Sequence, residues 1–216
     1  MDGKKFDALA EYPQGSAELS GAEYTVKFYA SETVTDTPTK TWVFRTNSLG
    51  IADFRDSSCF VSGDSLYSAP DGTITFPLGT ITVQETKAPE GYLIDNTVYT
   101  GHIYQPSNGA DATFKWSDGT DSTKVSYNLG TNIHWEDSVY KGKVQVTKYS
   151  FDSKTVEPDG DGTFKGTEFT IYNLSENPVV TLDGKGVAEK GEAVGVIVAN
   201  ENAYATTADR ALPYGD

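Results

Sequence analysis

From Ala22 to Phe28 every second residue is apolar: Ala22, Tyr24, Val26 and Phe28 share one side of an extended chain. A repeat of two marks a strand with one face in a core. Residues 19–29 are therefore expected to form a strand. Trp42, Val43 and Phe44 form a second. Asp71-Gly72 is a hairpin-type turn leading into residues 73–76, and alternation returns over 97–104 and 112–116. Residues 124–128 are expected to close this first unit. Between these runs lie polar turns around Pro38, at 47–50, at 107–111 and at 117–121. No segment carries a helical repeat, and 206–211 is at most a short helical turn. Residues 51–68 fit no single pattern. The fold class expected is all-β.

One alternating run breaks the rule that core positions are apolar. In Thr80-Ile81-Thr82-Val83-Gln84-Glu85-Thr86, the side carrying Ile81 and Val83 also carries Glu85. A carboxylate taken into a core is costly unless it is paired or protonated. The ordinary reading is a salt-bridged residue. The strand then ends sharply in Lys87-Ala88-Pro89-Glu90-Gly91-Tyr92, where proline and glycine impose a turn.

The chain also repeats itself. Residues 19–26 (LSGAEYTV) parallel 164–171 (FKGTEFTI), and Pro77-Leu78-Gly79-Thr80 parallels Pro213-Tyr214-Gly215-Asp216. Two copies of one module follow from this: residues 1–140, and residues 141–216, the second stopping before its counterpart of the 80–86 strand. Such an incomplete sandwich would expose a strand edge.

Composition narrows the class. The 216 residues carry a net charge of −14, with 22% charged residues. No basic patch is present to neutralise phosphates, which argues against a nucleic-acid partner. Cys59 is the one cysteine, so no disulfide can form within the chain. No apolar run approaches the roughly 20 residues of a membrane span, so no membrane insertion is expected of this fragment. No signal peptide is recognisable at the start.

The stretch 81–95 (ITVQETKAPEGYLID) resembles the E-box of Gram-positive surface proteins with collagen-adhesin B-type (Cna-B), or SpaA-like, pilin domains. The resemblance implies tandem Ig-like or prealbumin-like β-sandwiches, the second incomplete at its C-terminus. It implies a stalk or shaft module of a cell-wall-anchored pilin or adhesin, extracellular, with signal and anchor outside the fragment. Residues 212–216 differ from a sortase signal, since Gly and Asp stand where Thr and Gly are needed. The resemblance further implies an intramolecular isopeptide bond between a first-strand lysine and a last-strand asparagine, promoted by the E-box glutamate. Carried over by position, Glu85 is the promoting acid. Lys5, in a Lys-x-Asp motif with Asp7, is the lysine, with Lys4 as the alternative. Asn128 is the asparagine, with Asn132 as the alternative. Lys148 is the second module's lysine, its partners falling beyond the fragment. The partners implied are neighbouring domains of the same protein, other pilin subunits or a host ligand. No turnover enzyme and no cofactor are implied.

The remaining candidates have plainer readings. Cys59 as a thioester cysteine lacks a fitting glutamine partner, and a buried thiol is favoured. Residues 157–162 (EPDGDG) place oxygen ligands close together but lack a full calcium-binding loop. His102 and His134 form no triad or metal pattern. Trp42, Trp116 and Trp135 are read as core or cross-strand residues. Two rival functions stand beside the stalk: a ligand-binding adhesin domain recognising a host glycan or matrix protein, and an accessory β-domain of a secreted enzyme.

Overall fold

The alternating segments fold as strands. The computed structural model describes residues 2–7, 13–110, 112–116 and 133–215, with 2–7, 113 and 133–136 described as backbone. The chain divides into two units: residues 1–11 with 18–138, and residues 12–17 with 139–216.

In the first unit the described strands are β1 (Asp2–Asp7), β2 (Glu23–Tyr29), β3 (Lys40–Arg45), β4 (Ile51–Asp53), β5 (Phe60–Gly63), β6 (Gly79–Lys87), β7 (Val98–Tyr104), β8 (Thr113–Trp116) and β9 (Ile133–Asp137). Six form an antiparallel sheet in the order β5-β3-β2-β6-β7-β8. A second sheet runs β4-β1-β9, with β1 antiparallel to β4 and parallel to β9. The first and last described strands of the unit are thus hydrogen-bonded neighbours.

The alternation of β2 sets the core. Ala22, Tyr24, Val26 and Phe28 are buried, joined by Phe44, Phe54, Ile81, Val83 and Tyr99. Trp42 is fully buried among rings that meet it edge-on, with centroids 6.2 Å (Phe54), 6.1 Å (Tyr67) and 5.6 Å (Phe76) away. Such contacts add to the area that aromatic side chains bury. Residues 51–68 prove to be β4, a 3-10 turn at Ser57–Cys59 and β5. Cys59 is buried, its Sγ 3.6 Å from the Ile51 carbonyl.

Several boundaries differ from the pattern. β2 begins at Glu23 rather than 19. Gly21 stands at φ 89°, and the Thr46 hydroxyl accepts from the Ala22 N–H and donates to the Leu19 carbonyl, which fixes a turn there. Residues 73–76 give a single bridge, Ser68 to Ile74, instead of a strand. The hydrogen bonds of that segment close a local hairpin, Gly72 N–H to Ala69 and Ala69 N–H to Thr73. Residues 206–211 contain no helix. Tyr204–Thr206 is a strand, and Arg210 has φ 57° in the turn after it.

Gly101 on β7 lies against the next strand. A Cβ added there would come within 2.4 Å of the Phe114 ring and 3.0 Å of Trp116. Gly101→Ala is expected to destabilise the first unit by about 1–3 kcal/mol through overpacking. Urea unfolding with an unchanged m-value checks this.

The second unit pairs its described strands two by two, all antiparallel: β10 (Lys141–Gly142), β11 (Gln145–Thr147), β12 (Glu168–Tyr172), β13 (Val179–Val180), β14 (Val187–Ala188), β15 (Ala193–Val198), β16 (Tyr204–Thr206) and β17 (Leu212–Pro213). The pairs are β10-β17, β11-β16, β12-β15 and β13-β14. Val179, Ala188 and Val194 form one buried cluster, and Ile197, Ala199 and Ala205 another, with Ile171 and Leu182 packed against both. Segment 12–17 belongs to this unit. Gln14 is fully buried and accepts from the Val180 N–H, and Asn177 donates to the carbonyls of Gly15 and Ala17.

The matched segments share a backbone. Gly21 and Gly166 have φ 89° and 85°, and each is followed by a strand, β2 or β12. Gly21 N–H donates to Thr46, whose N–H returns to Ala22; Gly166 N–H donates to Ala199, whose N–H returns to Thr167. Gly79 and Gly215 have φ 152° and 145°. The repeated letters thus encode one repeated turn geometry.

Candidate functional site: a buried carboxylate beside the closing strand

β6 lies in the middle of its sheet, between β2 and β7. Ile81, Val83 and Glu85 all face the core, and Glu85 is fully buried. The other face of β6 is more covered than alternation alone suggests. Thr80 and Thr82 are buried too. The Thr80 hydroxyl donates to the Ser31 carbonyl at 2.8 Å and lies 3.2 Å from His102 Nδ1.

The turn after β6 folds back over Glu85. The Tyr92 N–H donates to the Pro89 carbonyl, Gly91 adopts φ 86°, and the Tyr92 ring is buried. The Asp95 N–H then donates to Glu85 Oε2 at 2.9 Å. Asp95 is itself fixed, its Oδ1 accepting from the Thr97 N–H and hydroxyl. Two residues before Asp95, the Leu93 N–H donates to the Ser138 carbonyl at 2.9 Å. Ser138 directly follows β9. One short loop therefore holds the buried carboxyl and the end of the strand that pairs with β1.

Tyr24 stands opposite Glu85 in the β2–β6 register. Burial pushes its phenol above the ordinary tyrosine range, and the negative charges of Glu85 and Asp95, then Tyr99, push the same way. The neutral phenol is the form the fold retains. The unfolded chain ionises near pH 10, so above that pH it gains on the folded one and stability falls as pH rises. The slope from Tyr24 is about 1.4 kcal/mol per pH unit. Tyr24→Phe is expected to flatten the alkaline loss of stability without changing it at neutral pH beyond the hydroxyl's own contribution. Guanidinium titrations at neutral and alkaline pH check this.

The first-strand lysines lie on β1, Lys4 opposite Ile51 and His134, and Lys5 opposite Trp135. Asn128 and Asn132 lie outside the described residues, as does the expected closing segment 124–128. Lys148 follows β11 and is exposed, its N–H donating to the Ala203 carbonyl at 2.7 Å. Sequence reasoning missed β9 and with it Asp137, which is 3% exposed. Among the described residues Glu85 and Asp137 are the buried acidic side chains, and both belong to the first unit. The available signal was the alternation of Ile133, Trp135 and Asp137. Among the described residues no cluster of His, Cys, Asp and Glu has the makings of a metal site, and no helix is long and apolar enough to cross a membrane. In the 157–162 turn, Asp159 accepts the Ser150 hydroxyl.

Comparison with known proteins identifies the family. A family model described as the SpaA prealbumin-like fold domain matches residues 13–120, half of the chain. The chain belongs to that family. No curated protein matches it. Among solved structures it is similar to the TIE protein of Bacillus anthracis, with TM-score 0.47 and 20% identity over 99% of this chain and 26% of that one. It is also similar to the major pilin protein (T-13) of Streptococcus pyogenes, with TM-score 0.34 and 10% identity over 96% of this chain and 75% of that one. The chain thus spans about a quarter of the TIE protein's length.

Proposed function

We propose that the chain is a shaft segment of an extracellular, cell-wall-anchored pilin or adhesin, and that its first unit is locked by a self-made isopeptide bond promoted by Glu85. Its partners are neighbouring domains of the same surface protein. The observation that carries the reading is the full burial of Glu85 on β6, with its loop hydrogen-bonded to the end of the strand that runs beside β1. Membership of the SpaA prealbumin-like family supports it.

The chemistry follows from burial. A lysine amine removed from water loses part of its preference for the charged form and becomes a nucleophile. A buried carboxyl group tends toward its protonated form, in which it donates a hydrogen bond to an acceptor carbonyl and relays protons as the leaving group departs. Holding three groups in place makes a slow exchange effectively unimolecular. Lys5 on β1, with Lys4 the alternative, supplies the amine. The resemblance points to Asn128 as the acceptor, with Asn132 as the alternative; both lie outside the described residues. The reaction occurs once and is not turnover. Residues 141–216 are read as a second module of the same kind, with Lys148 as its lysine.

The intact mass of the denatured protein tests the reading. A deficit of one ammonia, with a cross-linked peptide joining the Lys4/Lys5 region to Asn128, is the expected result. A full mass would overturn the cross-link and leave an ordinary non-covalent spacer.

A further inference from the structure

We infer that one end of the six-stranded sheet holds a carbohydrate-binding cleft, in which His102 accepts a hydrogen bond from a sugar hydroxyl and Tyr104 carries the sugar's apolar face. The cleft is independent of the cross-link. It lies at the Gly79 end of β6, and Glu85 stands near the other end.

The sheet order assembles the cleft. β2, β6, β7 and β8 are successive antiparallel neighbours. The exit of β2, the entry of β6, the exit of β7 and the entry of β8 therefore come to one end. There the segment after Tyr29, Leu78 before β6, and residues 102–105 with Lys115 line a cleft of about 690 Å³. That volume falls within the ~300–1,000 Å³ of small-ligand pockets. The whole lining belongs to the first unit.

Thr80, His102 and Lys115 form one cross-strand row, Thr80 opposite His102 and His102 opposite Lys115. Directly opposed residues of an antiparallel pair share a face, and Tyr104, two residues beyond His102, shares it too. Thr80 is fully buried, and its hydroxyl fixes the histidine. The single hydroxyl proton goes to the Ser31 carbonyl at 2.8 Å, a group that only accepts. The 3.2 Å contact with His102 Nδ1 is then made by an N–H on Nδ1. The neutral ring so held keeps Nε2, on its other edge, as a bare acceptor, and His102 lines the cleft.

The remaining groups narrow the ligand. The Gln105 amide nitrogen donates to the Ala110 carbonyl at 2.7 Å, which fixes that side chain with Oε1 as an acceptor. Glu32 adds a carboxylate, and Lys115 is the cationic donor. Acceptors outnumber donors, so the ligand that fits carries several O–H groups. Tyr104 is 41% exposed and Leu78 50%, which sets apolar surface beside the polar anchors. A sugar ring matches both, with C–H groups on its faces and hydroxyls on its rim. A peptide backbone brings an acceptor for nearly every donor, and a multivalent anion would meet the Glu32 carboxylate.

The test is binding of the whole chain to an array of neutral oligosaccharides built from glucose, galactose, mannose and N-acetylhexosamines, repeated with His102→Phe, Tyr104→Ala and Thr80→Val. At least one array member is expected to bind, with affinity lowered about 10-fold by His102→Phe and by Tyr104→Ala, the worth of one good contact. Tyr104 is exposed, so Tyr104→Ala probes the cleft even where His102→Phe disturbs folding. Thr80 is a positioning residue. Thr80→Val is expected to weaken binding and to change the His102 tautomer, read from long-range proton–nitrogen correlations of the chain's 2 histidines. Absence of binding to every array member, or binding indifferent to both His102→Phe and Tyr104→Ala, would overturn the inference. Binding that inorganic phosphate displaces and Tyr104→Ala leaves intact would make the cleft an anion site and overturn it equally.

Discussion

Glu85→Gln is expected to leave the chain folded and at its full mass, with the cross-link abolished completely. The substitution separates chemistry from structure. The glutamine side chain keeps the length of glutamate and offers an amide oxygen to the Asp95 N–H, which now donates to Oε2 at 2.9 Å. It cannot take up and return a proton as the carboxyl does. Glu85→Ala is a harsher change, because it also leaves that N–H without its acceptor inside the fold. An unsatisfied buried donor costs about 1–3 kcal/mol, so the alanine variant loses both the bond and local order around Asp95. The pair of variants should therefore share the full mass and differ in stability, glutamine being the more stable. Retention of the mass deficit in Glu85→Gln would show that Glu85 is a structural carboxyl and that another group moves the protons.

Much of the first unit can be read from the letters because its period is local. Ala22, Tyr24, Val26 and Phe28 alternate within seven residues, and the structure buries all four. Glu85 was legible for the same reason: parity with Ile81 and Val83 places it inside without knowledge of any partner. Thr80 and Thr82 were not. Alternation puts them on the solvent side, yet β6 lies between two strands and Ser31 and His102 meet Thr80 from other elements. Burial of that face depends on contacts distant in sequence. β9 escaped for a related reason. Five residues of mixed polarity carry a weak period, and what makes them a strand is pairing with β1, more than a hundred residues away. The repeats were legible because glycine at positive φ is nearly obligatory where the turn demands it, and Gly21 and Gly166 show the same geometry.

The linked chain is expected to exceed Glu85→Gln in stability by about 5 kcal/mol. A bond from Lys5 to Asn128 would close a loop of about 125 residues, and the chain-entropy model for cross-links assigns that figure to such a loop. Guanidinium unfolding of the two proteins measures it, the near-isosteric substitution keeping other contributions small. The mechanical effect is larger than the thermodynamic one. β1 and β9 are adjacent and parallel, so tension between the first strand and the end of the unit shears their hydrogen bonds. With a covalent link from β1 to the proposed acceptor, the load passes through the amide and the strands enclosed by the link never feel it. Pulling on Glu85→Gln from the two ends of the unit should release roughly 430 Å of contour, from about 125 residues at 3.3–3.6 Å each. The linked chain should release none of that span. This converts stability into a barrier that unfolding alone cannot cross. Equal midpoints and equal extension in the two proteins would remove the cross-link from the account of how this unit holds together.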